Sequence, residues 1–588
     1  MQGLSLYLLL ARHNSLLVLH EQNLSDKRKY PTFKRVESCV LLRLTQHILS
    51  IIRTAMSTPF LLNGSPQFVT LGTTGFDLQA PEWTGEGVML NAQETTMRND
   101  GGIFEARLQE MMQDKELVDL GTLEFEISPI PPEIKENPVR AGGLVAHTRS
   151  GASAVIFRTP NYGAENAVMV LYADEDGDLQ WVFPEADSPD SSHLHFMIPR
   201  DGAEPPLGEK GPNRGPITKL MRRVIRVVAW TMKDPIGKRI FKAAKRWEDK
   251  KYAGPRFFKV EPSTDQQDAA KWFVPMEAAD FELMGQGKSL FLVHGTFATA
   301  QYAFGDLILN PRFQALLRLY EGRIFAFNHP TAHQSIEENV DHFLAGLPAD
   351  QKLHVDILTR SRGALVARDL LKRIAQKEVG ARTLKAEHLV MVAPPNQGTP
   401  LTEAKHVTDW LHTYTTFLTW LPDHLITIGL EIILGLVQLV GPGGLEQLKG
   451  LASMSPQGNT VTGLNALEAM VPHCYVIGAA FDLNLTDGEA NERQRRLTRK
   501  RNELVRHITE SIFKGQASDL VVPHPGCFKL GKLEAAHLES DQRMLSLEGK
   551  YTDGQGEVRA VNHLNIMNFP KVHAQIIDWF VAANQVST

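Results

Sequence analysis

Six short apolar runs recur through the second half of this 588-residue chain: S-L-F-L-V-H-G, R-I-F-A-F-N, H-V-D-I-L-T, H-L-V-M-V-A-P, C-Y-V-I-G-A-A and D-L-V-V-P. They are rich in aliphatic and β-branched residues and lack the polar alternation of a half-exposed strand. That is the pattern of parallel strands covered on both faces. Between them lie stretches with helical spacing, such as A-L-V-A-R-D-L-L-K-R-I and K-V-H-A-Q-I-I-D-W-F. Strands alternating with helices predict a doubly wound, mostly parallel α/β sheet.

Such a sheet does not need the whole chain, and this length predicts two or three domains. Residues 57–202 read as a smaller β-rich domain. S-A-V-I-F-R and G-G-L-V-A-H suggest strands, and A-V-M-V-L-Y, D-E-D-G-D and L-Q-W-V-F-P suggest a hairpin. Residues 203–279 read as a Gly/Pro-rich linker followed by a basic amphipathic helix over 217–251. Ile217, Leu220, Met221, Val224 and Val228 form its apolar stripe, with Lys219, Arg222, Arg223 and Arg226 opposite. A helix of this kind either lies on an anionic membrane surface or packs on a neighbouring domain with its charges solvated. Residues 280–588 are left for the α/β domain. The leader, 1–56, has no Lys or Arg before its apolar run, and Arg12 and His13 interrupt it. It is a poor secretory signal and too short to span a bilayer. A natural start at Met56 and a genuine amphipathic leader both remain open.

A net charge of −5 gives no reason to expect a nucleic-acid partner. The three cysteines, Cys39, Cys474 and Cys527, are far apart and odd in number. They predict a reducing, cytoplasmic setting with no disulfide framework. No metal or cofactor is expected. Asp174, Asp176 and Asp178 alternate, but the glycine among them comes too early for an EF-hand loop. His193 and His195 would share a strand face without a third ligand.

The chemistry-bearing candidates cluster around the apolar runs. Ser361 lies in T-R-S-R-G, between H-V-D-I-L and a good helix. A serine on a tight strand-to-helix turn projects its hydroxyl toward free backbone N–H groups and the positive end of the helix dipole. Gly363 supplies the missing side chain that lets the helix approach. Upstream, S-L-F-L-V ends in His294, Gly295, Thr296 and Phe297. Downstream stand Asp519 in S-D-L-V-V-P and His563 in A-V-N-H-L-N-I-M-N-F-P.

With V-H-G-T-F, T-R-S-R-G-A-L-V-A-R, A-P-P-N-Q-G-T-P-L, S-D-L-V-V-P and N-H-L-N, residues 280–585 resemble the α/β-hydrolase lipases. The nearest likeness is to bacterial lipase-like proteins and the domain related to the GPI-inositol deacylases. The resemblance implies a nucleophile–acid–base set of Ser361, Asp519 and His563, with oxyanion donors from the backbone of Thr296 and Arg362. Asp482 and His524 are the competitors for acid and base. Thr359 and Ala364 stand where glycines are common in the family.

Residues 410–441, within an insertion at about 403–455, are strongly apolar but interrupted by Glu431, Gln438 and glycines. They read as a lid over an acyl chain or as a buried cap helix. The expectation is therefore a serine esterase or lipase forming an acyl-enzyme on Ser361, acting on an acyl-ester or lipid substrate. Peripheral membrane contact would run through 217–251 or 410–441. An amidase, thioesterase or acyltransferase with the same triad, or a non-catalytic binding module, is the alternative.

Overall fold

A computed structural model describes residues 245, 248–402 (except 266), 448–466, 473–482, 502, 505–506 and 508–585, together with strands and short turns between 58 and 231. The leader 1–56, the G-G-L-V-A-H run, the D-E-D-G-D turn, the linker 203–216 and the apolar segment 410–441 lie outside the described residues. Among those described, no helix is long and apolar enough to cross a membrane.

The α/β half is built on eight strands: β1 (Phe257–Val260), β2 (Phe273–Pro275), β3 (Lys288–Val293), β4 (Ile324–Phe327), β5 (Lys352–Arg360), β6 (Thr383–Val392), β7 (His473–Ala480) and β8 (Met544–Glu548). Their order across the sheet is β2-β1-β4-β3-β5-β6-β7-β8. β3 through β8 run parallel, and β1 and β2 form an antiparallel edge. The expected mostly parallel sheet is therefore present, and it takes in strands from Phe257 onward.

Four helices matter for the site: α1 (Ala300–Leu309), α2 (Ile336–Gly346), α3 (Gly363–Ala375) and α4 (Pro570–Gln585). Successive strand residues point to opposite faces. Leu290 and Leu292 of β3 and Val390 and Val392 of β6 pack in one core with α1 and α4. Phe291, Val293, Leu389 and Met391 pack in the other with α2 and α3. Each such side chain contributes about 1.5–3 kcal/mol on full burial, which is why these strands carry no polar alternation. β3 connects to β4 on one side and has β5 on the other, so the chain's direction of winding reverses between β3 and β5. In open α/β sheets the crevice beyond the strand ends at such a reversal is where ligands bind.

The insertion after β6 leaves and rejoins the domain at neighbouring points. The Thr399 N–H donates to the Met454 carbonyl (2.9 Å), and Leu401 and Leu448 are both buried.

The amino-terminal half is β-rich as expected. A six-stranded antiparallel sheet and a four-stranded sheet enclose a core that includes Phe60, Leu78, Phe125, Phe157 and Phe196. Asn166–Ala173 pairs with Leu179–Val182 as the anticipated hairpin, and His193 and His195 lie on the strand His193–Ile198.

Two expectations are corrected. The basic amphipathic helix over 217–251 is not formed: Met221–Thr231 is an 11-residue strand paired on both sides, with Leu117–Pro129 and with Asn166–Ala173. Three valines, Ile225, Trp230 and Thr231 favour a pleated strand, and this β-branched content outweighs a stripe that fits helical spacing equally well. D-L-V-V-P is not a strand either. Asp519 Oδ1 accepts from the N–H groups of Val521 (3.0 Å) and Val522 (2.6 Å), and Leu520 takes φ 77°. An aspartate that captures the following N–H groups makes a turn instead of a ladder. The last parallel strand is β8.

Candidate active site

β3 and β5 end side by side, Val293 opposite Thr359, and their continuations form the centre of the site. Ser361 has φ 51°, the left-handed region that costs a non-glycine residue free energy. It is held there from both sides: its N–H donates to the Val392 carbonyl (2.8 Å), and its carbonyl accepts from Ala364 N–H (3.0 Å). Gly363 is obligatory, because a Cβ there would lie 2.3 Å from the Val293 carbonyl oxygen. Gly295 is equally constrained, since its Cβ would fall 2.7 Å from Ser361 Cβ. Thr359 needs no glycine: it is the penultimate residue of β5, in extended backbone, and its hydroxyl donates to the Val390 carbonyl (3.4 Å). Ala364 is fully buried in the first turn of α3.

His563 Nε2 lies 2.9 Å from Ser361 Oγ, and its Nδ1 lies 2.7 Å from Asp519 Oδ2. With Asp519 as acceptor, Nδ1 carries the proton and Nε2 is free to accept one from the serine. The His563 N–H also donates to the Asp519 backbone carbonyl (2.9 Å). The N-H-L-N turn braces itself: Asn562 Oδ1 accepts from Leu564 and Asn565 N–H, and Asn565 Oδ1 accepts from Asn562 N–H. The acid beside His563 is thus Asp519 and not Asp482. His524 is engaged elsewhere, with its Nε2 2.9 Å from Ser546 Oγ.

Arg362 follows the serine in sequence, and Thr296 follows Gly295, whose backbone lies against Ser361. Among the described residues, neither backbone N–H has an intramolecular acceptor. His294, fully buried, sets the peptide before Thr296. Its Nε2 accepts from the His329 N–H (3.1 Å), so Nδ1 bears the proton and donates to the Gly295 carbonyl (2.8 Å). Burial drives the His294 pKa down to about 3, so the ring is neutral. Because the peptide unit is planar, fixing the Gly295 carbonyl also fixes the direction of the Thr296 N–H.

The two arginines of T-R-S-R-G have roles that sequence reasoning missed. Arg360 donates through Nη2 to the carbonyls of His563 (3.2 Å) and Leu564 (2.8 Å), tying the His563 turn to the strand that carries Ser361. The Arg362 side chain, fully buried and with its pKa lowered by burial to about 10, reaches Gly450 O, Asn339 Oδ1 and Gln334 O. The alternation R-S-R was visible, but the acceptors lie far off in sequence and are mostly backbone carbonyls, which leave no residue-type signature.

Among the described residues, one group elsewhere has metal-ligand chemistry: Asp356, Glu387 and His388, toward the amino ends of the parallel strands. Lys288 Nζ stands 3.1 Å from Asp356 Oδ2 and 2.8 Å from Glu387 Oε2, so an ammonium already holds the cation position.

Solved structures similar to this chain include the phospholipase PlaB from Legionella pneumophila (15% identity, 41% of this chain and 45% of that one, TM-score 0.25). A carboxylesterase from the Thaumarchaeon Nitrososphaera gargenis (15%, 52% and 93%, TM-score 0.27) and lipase 1 from Pelosinus fermentans (11%, 51% and 97%, TM-score 0.31) are further examples. The match spans under half the length of the Legionella phospholipase. A search of the curated proteins found no match. The family model described as Domain of unknown function (DUF7379) matches residues 258–581, more than half of the chain, and the chain belongs to that family.

Proposed function

We propose that this protein is a serine hydrolase that cleaves carboxylic esters through an acyl-enzyme on Ser361. The observation that carries this reading is the continuous chain of contacts from Asp519 through His563 to a serine held at φ 51°. His563 Nε2 removes the Ser361 proton as Oγ attacks the ester carbonyl carbon. The oxyanion so formed is received by the N–H groups of Thr296 and Arg362. Collapse breaks the bond to the alcohol oxygen, which takes the proton from His563. Water then repeats the sequence, releasing the acid and restoring Ser361. Asp519 keeps the imidazole in the required tautomer and stabilises its charged form.

The apolar segment 410–441 favours acyl chains over small polar esters. We assign lipid-surface contact to that segment and not to 217–251, whose central stretch is an interior strand. The test is hydrolysis of p-nitrophenyl esters of increasing chain length by purified protein, with fluorophosphonate labelling of the serine. Ser361→Ala is expected to lower kcat/KM by on the order of 10⁴ or more and to abolish labelling. Full activity in that variant would sink the mechanism.

A further inference from the structure

The loop that follows β3 contains a second strained residue. Phe297 has φ 55°, a conformation that a bulky side chain keeps only when its surroundings enforce it. Both of its backbone polar groups are held from outside the loop. Its N–H donates to Thr331 Oγ1 (2.8 Å), and its carbonyl accepts from Lys251 Nζ (2.9 Å). The next carbonyl, of Ala298, accepts from the Tyr252 hydroxyl (2.7 Å), and the Tyr252 ring stacks on His294 at 6.0 Å. Thr331 is itself fixed. Its hydroxyl donates to Glu248 Oε1 (3.1 Å), and the same fully buried carboxylate accepts from the N–H groups of Thr331, Ala332 (2.8 Å) and His333 (2.8 Å) and from His333 Nδ1 (2.6 Å). Burial alone would raise the Glu248 pKa, but the His333 ring and these backbone donors overcome it and hold the carboxyl below its ordinary range.

We propose that Glu248, Lys251 and Tyr252 are positioning residues for the oxyanion loop. They lock the Phe297 turn so that the Thr296 N–H faces the oxygen of a substrate carbonyl on Ser361. All three lie ahead of residues 258–581, the part matched by the family model. The span matched by the family model therefore does not contain the whole site: a helical turn at 248–251 completes it. This inference rests on the serine-hydrolase reading above.

The test uses the full chain carrying Lys251→Met, Tyr252→Phe or both, with Lys250→Met at an exposed neighbouring lysine as the control. Ester hydrolysis gives kcat and KM, and amide hydrogen exchange of a peptide spanning 294–300 reports the loop directly. Each single variant is expected to lower kcat about tenfold and the double about a hundredfold, with KM changed by no more than about twofold. Exchange at 297–300 should accelerate about tenfold in the double variant, while α3 and the melting temperature stay as in the parent. Lys250→Met should match the parent in every measurement. Unchanged loop exchange in the double variant overturns the proposal, whatever the activity does. So does a loss of kcat that falls in step with melting temperature or with exchange in α3. If the parent neither hydrolyses esters nor labels, yet loop exchange accelerates as stated, the hydrolase reading fails alone and the brace on the loop stands.

Discussion

The sheet holds two buried aspartate–histidine pairs, one at each end, with nearly the same geometry. At the carboxyl ends of the strands, Asp519 Oδ2 lies 2.7 Å from His563 Nδ1; at the amino ends, Asp356 Oδ1 lies 2.8 Å from His388 Nδ1. What differs is the company. Asp356 also receives the Tyr320 hydroxyl (2.6 Å), Lys288 Nζ (3.1 Å) and Asn584 Nδ2 (3.1 Å). It is a saturated polar knot that stitches β3, β5 and β6 to α4. Asp519 receives only its own turn and the imidazole, whose far nitrogen meets a serine on a strained backbone. A carboxylate beside an imidazole is therefore no signature of chemistry. The third partner, and the strain that presents it, make the difference.

Swapping the same mutation between the ends breaks this comparison most strongly. Asp519→Asn should lower kcat by about 10⁴ by favouring the wrong imidazole tautomer, with little change in melting temperature. Asp356→Asn should do the reverse, costing about 3 kcal/mol of stability by leaving Lys288 with a poorer partner while the folded enzyme keeps its kcat. Urea unfolding and ester kinetics on both variants decide it, and equal behaviour at the two ends would remove the distinction. Gly363→Ala tests the strain itself. The Val293 carbonyl that the new methyl meets is backbone and cannot yield, so α3 must shift, at about 1–3 kcal/mol of stability and about a hundredfold in kcat. A fully active Gly363→Ala protein would show that the close approach is dispensable.

The smallest effect concerns protons. His294 and His329 are fully buried and stacked 4.1 Å apart at the Ser361 end of the sheet. Burial holds His294 down to about 3 and, with its positive neighbours, His329 well below the ordinary imidazole value. Once unfolded, both take up protons near pH 6.5, which the folded rings refuse until far lower pH. Stability should therefore fall as pH drops below 6.5, by up to about 1.4 kcal/mol per pH unit for each ring. His329→Phe, which keeps the stacking and removes one titrating group, should make the slope shallower; urea titrations at pH 7, 6 and 5 that show no change would refute this.

Much of the α/β half was legible in the sequence, for a physical reason. Strands β3 to β7 are buried over most of their length, so each carries a short apolar run that stands out in the sequence even where its first residues are polar. Ser361 was legible because strand, tight turn and helix follow one another within a dozen residues. The misreadings have one cause in common: a short apolar run does not declare its conformation. Met221–Thr231 carried helical spacing by coincidence, and only its β-branched content spoke for a strand. In D-L-V-V-P a single side chain, that of Asp519, diverted the backbone into a turn. The brace of Glu248, Lys251 and Tyr252 was hidden for another reason. Its acceptors and donors are largely backbone groups far along the chain, and Glu248 and Lys251 sat within a stretch that read as a basic amphipathic helix, with Tyr252 just beyond it.

The tie between Thr399 and Met454 bears on how such a protein could diversify. With the two stems of the insertion already pinned together, the entropy of closing whatever lies between them grows only slowly with its length. The paired stems at Thr399 and Met454 therefore set a fixed gate in the chain, across which a change in length would cost little closure entropy.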